Sequence, residues 1–114
     1  MGDCLFCRII TRHVPATLVR EAEGVLAFND INPQAPTHVL IIPKDHIPTL
    51  ADITPAHSLL LSAMIQMAND LARQYRLTDS GYRIVINNGA GAGQSVEHLH
   101  LHLLGGRRFT WPPG

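Results

Sequence analysis

The segment Glu97-His98-Leu99-His100-Leu101-His102-Leu103-Leu104 constrains this chain more than any other stretch. Imidazole and leucine alternate with the period of a β-strand. His98, His100 and His102 are therefore predicted to share one face, and Leu99, Leu101 and Leu103 the other. Successive rings on one strand face stand about 6.6 to 6.8 Å apart, near enough for one small ligand to meet at least two of them. A single histidine on a strand is usually a surface group or a satisfied core residue. Three in alternation behind an apolar face ask for a chemical reason, because a buried imidazole needs partners. Just upstream, Asn88-Gly89-Ala90-Gly91-Ala92-Gly93-Gln94-Ser95 is a run of small residues whose backbone N–H groups are predicted to approach an anion closely. The two stretches together read as a phosphate cradle beside a histidine row.

With 114 residues, residues 1–114 are expected to form one domain around one core. Nine basic and nine acidic side chains balance, and 46% of residues are apolar, which argues against a disordered tail or a nucleic-acid partner. No apolar run approaches the roughly 18 to 20 residues of a membrane span, and no charged n-region with an apolar h-region opens the chain. The expectation is a soluble, cytoplasmic protein with no membrane partner. The two cysteines, Cys4 and Cys7, imply no disulfide framework.

In chain order, Asp3 is the expected N-cap of a short helix over residues 3–12, ended by Pro15. Residues 18–21 and 25–28 read as a hairpin closed by Gly24, and the turn-rich stretch 29–37 as an ordered loop. Residues 38–42 form a dense apolar strand ended by Pro43, with His38 at its mouth. Thr54 as N-cap and Pro55 as first residue predict a helix reaching Tyr75. Leu60, Met64, Met67, Ala68, Leu71 and Tyr75 mark its core face; Leu61 and Ile65 widen the stripe and hint at self-association. A further strand is expected over residues 82–87. His13 and His57 are assigned to solvent. After Gly105-Gly106, the terminal Trp111 has no remaining chain to cover it. The elements do not alternate as βαβ units. The predicted class is α+β, a largely antiparallel five-stranded sheet with one long and one short helix.

His98-Leu99-His100-Leu101-His102-Leu103-Leu104 resembles the His-x-His-x-His-x-x signature of the histidine triad superfamily of nucleotide hydrolases and transferases. The resemblance extends to Phe28-Asn29-Asp30-Ile31-Asn32-Pro33, Gln34-Ala35-Pro36-Thr37-His38, Ile42-Pro43-Lys44-Asp45-His46, Gly93-Gln94-Ser95 and Trp111-Pro112-Pro113-Gly114. These are similar to the histidine triad nucleotide-binding branch, which hydrolyses adenosine phosphoramidates. The resemblance implies that His100 is the nucleophile that becomes transiently adenylylated. It places Asp30 and Ile31 at the nucleoside, and Asn87, Gly93, Gln94 and Ser95 at the α-phosphate and leaving side, with His38 and His102 orienting or relaying protons. It also implies a purine nucleotide substrate of AMP type and a homodimer whose C-terminal tail reaches the partner's site. Glu97 departs from the pattern, standing where the branch often has an aromatic residue.

The chemistry agrees with these residue types. Imidazole attacks phosphorus without becoming an anion, and a covalent intermediate splits one hard step into two easier ones. Neutral His100 requires its other ring nitrogen to donate, with a backbone carbonyl as the expected acceptor. No carboxylate cluster for magnesium accompanies the site, so no cofactor is expected to be required for catalysis. The Cys4-x-x-Cys7 pair has zinc-binding spacing, and His46 and His98 could complete a set of two cysteines and two histidines. The resemblance implies these ligands for a structural zinc, which removes His98 from proton transfer. Two inert cysteines are the alternative; a redox pair would want a βαβ setting.

Three other functions compete. A zinc hydrolase using all three histidines is opposed by geometry, since the outer two stand about 13 to 14 Å apart on a strand and bond a metal at about 2 Å. A binding module that holds a nucleotide without turning it over is the second. A dinucleoside polyphosphate hydrolase from another branch is the third, disfavoured by the short chain and the Trp-Pro-Pro-Gly tail.

Overall fold

The computed structural model describes residues 3–114. Five strands, β1 (Leu18–Ala22), β2 (Val25–Asn29), β3 (Thr37–Pro43), β4 (Tyr82–Val85) and β5 (Leu101–Gly105), form one sheet in the order β1-β2-β3-β5-β4. Every neighbouring pair is antiparallel. With the helices α1 (Leu5–Ile10) and α2 (Ser58–Gln74), this is the expected α+β architecture. Among the described residues no helix is long and apolar enough to cross a membrane.

Both sheet faces are covered, but unequally. The 17 residues of α2 span about 25 Å at 1.5 Å per residue, whereas the six of α1 span about 9 Å. Met64, Met67, Ala68, Leu71 and Ala72 of α2 pack on Val25, Ala27, Val39, Ile41, Leu99, Leu101 and Leu103. The alternate residues of the same strands, Leu26, Phe28, Leu40 and Ile42, meet Phe6 and Ile9 of α1 on the opposite face. Burial on both sides explains why β2 and β3 read as continuous apolar runs rather than alternating ones. Because α1 is short, part of its face is left as a cavity.

Local structure departs from the sequence expectations in identifiable ways. The cap of α1 is Cys4, whose sulfur accepts the Cys7 N–H at 3.4 Å, rather than Asp3, and the helix is shorter than expected. Thr54 does cap, but over a 3-10 turn, Pro55–His57, that leads into α2. His57 is half-buried rather than left to solvent, because its Nδ1 accepts the Thr54 N–H at 2.9 Å in a reciprocal capping arrangement. Tyr75 caps the far end of α2 and stays partly exposed, while Ala72 takes the core position. The β4 strand stops at Val85, short of the expected end. The histidine strand starts only at Leu101, because its last partner on β3 is Ile41 and the chain beyond, at Pro43, has no N–H to extend the ladder. Leu99 is held instead by a 2.6 Å bond from its N–H to the Ile47 carbonyl. The alternation of faces nevertheless persists: Leu99, Leu101 and Leu103 all enter the α2 core.

Candidate functional site

The three histidines lie on the α1 side of the sheet and face three different environments. His98 is fully buried, and its Nε2 donates to the Pro43 carbonyl at 2.8 Å, which leaves Nδ1 without a proton. That bare nitrogen faces Cys4 Sγ at 3.4 Å and Cys7 Sγ at 3.6 Å, while His46 Nδ1 lies 3.2 Å from Cys7 Sγ. One donor atom from each of the four residues falls within 4.8 Å of all the others. Tetrahedral bonds of about 2.3 Å to sulfur and about 2.0 to 2.1 Å to nitrogen require donor spacings of this size, so the set fits a metal ion. Burial, and next the neighbouring Cys4, pushes the Cys7 thiol up, a penalty on the thiolate that a cation would offset.

His100 is oriented by the backbone of its own segment. Its Nδ1 donates to the His98 carbonyl at 2.7 Å, so the lone pair lies on Nε2. The edge-on ring of Phe6, 5.1 Å away between centroids, packs against it, and the His102 ring lies 5.0 Å away. His100 and His102 share the wall of a cavity of about 580 Å³ with Asp30, Ile31 and Ser95. Phe6, Val14, Phe28 and Leu40 supply apolar wall, an environment suited to a planar heterocycle.

Behind His102 runs a short hydrogen-bonded chain. The Gln34 N–H donates to His38 Nδ1 at 3.0 Å, and His38 Nε2 lies 2.9 Å from His102 Nδ1 and 3.4 Å from Asp30 Oδ2. Asp30 is steadied from its other oxygen, which accepts the Asn32 N–H at 2.8 Å. Burial holds His38 below the ordinary histidine range although Asp30 pulls it back up. Burial, then His100 and His38, pushes His102 down to about 4. Both rings are neutral at neutral pH, and His102 Nε2 is the buried side-chain nitrogen left without a partner among the described residues.

The expected site residues divide accordingly. Asp30, Ile31, Ser95, His100 and His102 line the cavity, and His38 adjoins it through His102. Cys4, Cys7, His46 and His98 form the separate cluster. Asn87, Gly93 and Gln94 do not reach the cavity wall. The Gln94 side chain is engaged within its loop: its Oε1 accepts the Gly89 N–H at 2.7 Å and its Nε2 donates to the carbonyls of Pro48 and Val96 at 2.8 and 3.1 Å. The N–H groups of Ala92, Gly93 and Gln94 also bond inside the loop, to Gly89 and Ala90 carbonyls. Four N–H groups of the expected cradle, those of Gly89, Ala92, Gly93 and Gln94, are therefore taken up inside the loop. The loop is a self-bonded turn, with Gly89 and Gly93 at φ of 88° and 97°, that delivers Ser95 to the wall. Sequence reasoning also missed Val14 and Leu40 as wall residues and Gln34 as a partner of His38; backbone N–H groups carry no side-chain signal.

Fold and site together define the histidine triad class. The chain belongs to the HIT family: the HIT domain model matches residues 11–109. Among solved structures it is similar to a HIT family hydrolase from Legionella pneumophila Philadelphia 1, with a TM-score of 0.96, 54% identity, and coverage of 98% of this chain and 100% of that one. It is 45% identical to the purine nucleoside phosphoramidase of Escherichia coli, over 92% of this chain and 88% of that protein. It is 52% identical to a 14 kDa zinc-binding protein of Zea mays, over 96% of this chain and 87% of that protein.

The depressed pKa of His102 sets a sign for acid sensitivity. An unfolded histidine titrates near about 6.5, so as pH falls through that value toward about 4 the unfolded state takes up the proton first and stability is lost. The His102→Gln variant is expected to lose less stability than the wild type between about pH 7 and about pH 5 in urea titrations. Equal losses in the two proteins would contradict the assignment.

Proposed function

We propose that the protein is a purine nucleoside phosphoramidase that hydrolyses the P–N bond of adenosine 5'-phosphoramidates through an adenylyl group carried on His100. One observation carries this reading: the bare Nε2 of His100, held by the 2.7 Å bond from Nδ1 to the His98 carbonyl, stands on the wall of a cavity with the unpartnered His102 Nε2 beside it. The name of the Escherichia coli relative supports the substrate class. In the first step His100 Nε2 bonds phosphorus as the P–N bond breaks, and the nitrogen leaves as the amine by taking a proton from solvent. His102 lines the same cavity, and an N–H aimed at developing charge in a dry site contributes typically about 2.7 to 4 kcal/mol. In the second step water displaces His100 and returns a proton to solvent, and His100 departs as neutral imidazole because its Nδ1 has kept its proton throughout. Asp30 is assigned to the ribose hydroxyls, Ile31, fully exposed at the rim, to the base, and Ser95 to the phosphate.

Zinc is assigned to Cys4, Cys7, His46 and His98, where it would act structurally, tying α1 to the sheet with no open coordination position. A homodimer is proposed from the apolar surface that the single chain leaves uncovered: Leu59 is 84% exposed on α2 and Trp111 83% exposed in the tail.

Rapid-quench mass spectrometry with an adenosine phosphoramidate is expected to show one adenylyl group on the His100 peptide. His100→Gly is expected to give no adduct and to lower turnover at least about 10⁴-fold. Turnover surviving in the variant, or nucleotide binding without adduct or amine release in either protein, would favour a non-catalytic binding module. Elemental analysis is expected to find one zinc per chain and Cys7→Ser to lose it with a fall in Tm; a fully stable wild type without metal would overturn that assignment. Sedimentation is expected to give twice the chain mass, and a monomer at all concentrations would remove the dimer.

A further inference from the structure

We infer that Arg107, acting through the backbone of Gln34, is a positioning residue that fixes which nitrogens of His38 and His102 carry protons. Arg107 follows Gly106, whose φ is 90° and where any Cβ would lie 2.9 Å from Pro36 Cβ, so the turn after β5 sits directly against the loop that precedes β3. From there Arg107 Nε donates to the Gln34 carbonyl at 2.9 Å. The guanidinium is itself held, by a 3.0 Å bond from Nη1 to the Arg108 carbonyl and by the Phe109 ring, whose centroid is 4.3 Å away. Arg83 braces the same ring at 5.0 Å and donates to the Thr110 carbonyl at 2.9 Å.

The clamp matters because of what the other side of Gln34 does. Its backbone N–H can only donate, so His38 Nδ1, 3.0 Å away, must be bare and the neutral ring must carry its proton on Nε2. His38 Nε2 lies 2.9 Å from His102 Nδ1, so its proton points at that nitrogen, which must be bare, and the neutral His102 ring is in turn protonated on Nε2. The His102 Nε2–H is then left buried with no acceptor among the described residues, on a ring that lines the cavity. One backbone N–H thus sets the tautomer of both rings.

The same lock decides how the chain treats metal ions. Asp30, His38 and His102 also place one ligand atom each within 4.8 Å of one another, the composition of a two-histidine, one-carboxylate site. An ion there would need His38 Nε2 bare, and the Gln34 N–H keeps it protonated. The Cys4 cluster is the converse, since the Pro43 carbonyl holds the His98 proton on the far nitrogen and leaves Nδ1 free. Two clusters of metal-ligand residues in one fold are separated by which backbone group each histidine meets.

The test uses full-length protein with its native metal and ¹⁵N-labelled histidine, read by long-range ¹H–¹⁵N spectra near neutral pH. In the wild type, His38 Nδ1 is expected in the bare-nitrogen range and His38 Nε2 and His102 Nε2 in the protonated range. Arg107→Ala, at an exposed position, is expected to shift His38 toward a tautomer average, and Gln34→Ala, which keeps the backbone, to match the wild type. Zinc added beyond the native content is expected to perturb His38 and His102 in Arg107→Ala only. The kinetic consequence alone rests on the phosphoramidase reading: kcat is expected to fall about 10-fold with KM little changed, part of the 10² to 10⁴ typical of a positioned proton donor. Wild-type His38 protonated on Nδ1, Arg107→Ala spectra that superimpose on the wild type, or wild-type rings that respond equally to zinc would overturn the inference. Expected spectra without turnover of any phosphoramidate would leave the clamp standing and remove the enzyme reading.

Discussion

The unequal cover of the two sheet faces is the constraint on which the rest of this structure depends. A helix of 17 residues seals one face; a helix of six leaves the other partly open. A strand crossing such a sheet must be leucine on one side, and on the other it is free to carry groups that need a ligand. The alternation from His98 to Leu103 meets both demands at once: the leucines enter the α2 core, and His100 and His102 line the cavity. Burying those three leucines is worth about 1.5 to 3 kcal/mol each, which anchors the segment firmly enough to hold imidazoles in fixed orientations.

Orientation is completed by backbone carbonyls and N–H groups rather than by side chains. Pro43 O fixes His98, His98 O fixes His100, and Gln34 N–H fixes His38. Strand and loop backbone is far stiffer than a long polar side chain, so such partners set tautomers with little entropy left to lose. Buried neutral imidazoles without partners would be costly, and here each ring nitrogen of His98, His100 and His38 has a defined neighbour or faces a site. The exception, His102 Nε2, is where ligand chemistry is expected on energetic grounds.

Much of this was legible in the residues. The order and type of the long elements followed from periodicity and from proline and glycine punctuation, and the donor for neutral His100 was expected to meet a carbonyl, which proves to be that of His98. The errors have physical causes. Small residues from Asn88 to Ser95 suggested free N–H groups throughout, but those of Gly89, Ala92, Gly93 and Gln94 are taken up by short-range bonds in a loop that the Gln94 side chain ties to Gly89, Pro48 and Val96. The strand was expected to begin with the histidines, but Pro43 ends the ladder it would have joined. Tyr75 fitted the helical stripe and still lies at the end of α2, where Ala72 meets the core. The Gln34 and Arg107 contacts had no signature, since one acts through its backbone and the other resembles any surface arginine.

His98 joins the two halves of the site through different atoms of one residue. Its ring faces the cysteines and its carbonyl holds His100, while its neighbour Leu99 is pinned by Ile47. A rotation of the 98–99 peptide that loosened the ring from Pro43 and the cysteines would carry the carbonyl away from His100 Nδ1. The proton on that nitrogen would then lose its acceptor, and the tautomer that presents a bare Nε2 would lose its preference. Whatever secures the Cys4 cluster therefore also secures the lone pair facing the cavity, although no side chain in the cluster touches it. This coupling follows from a row of alternating residues in which the side chain of one position and the backbone of the same position serve neighbouring sites.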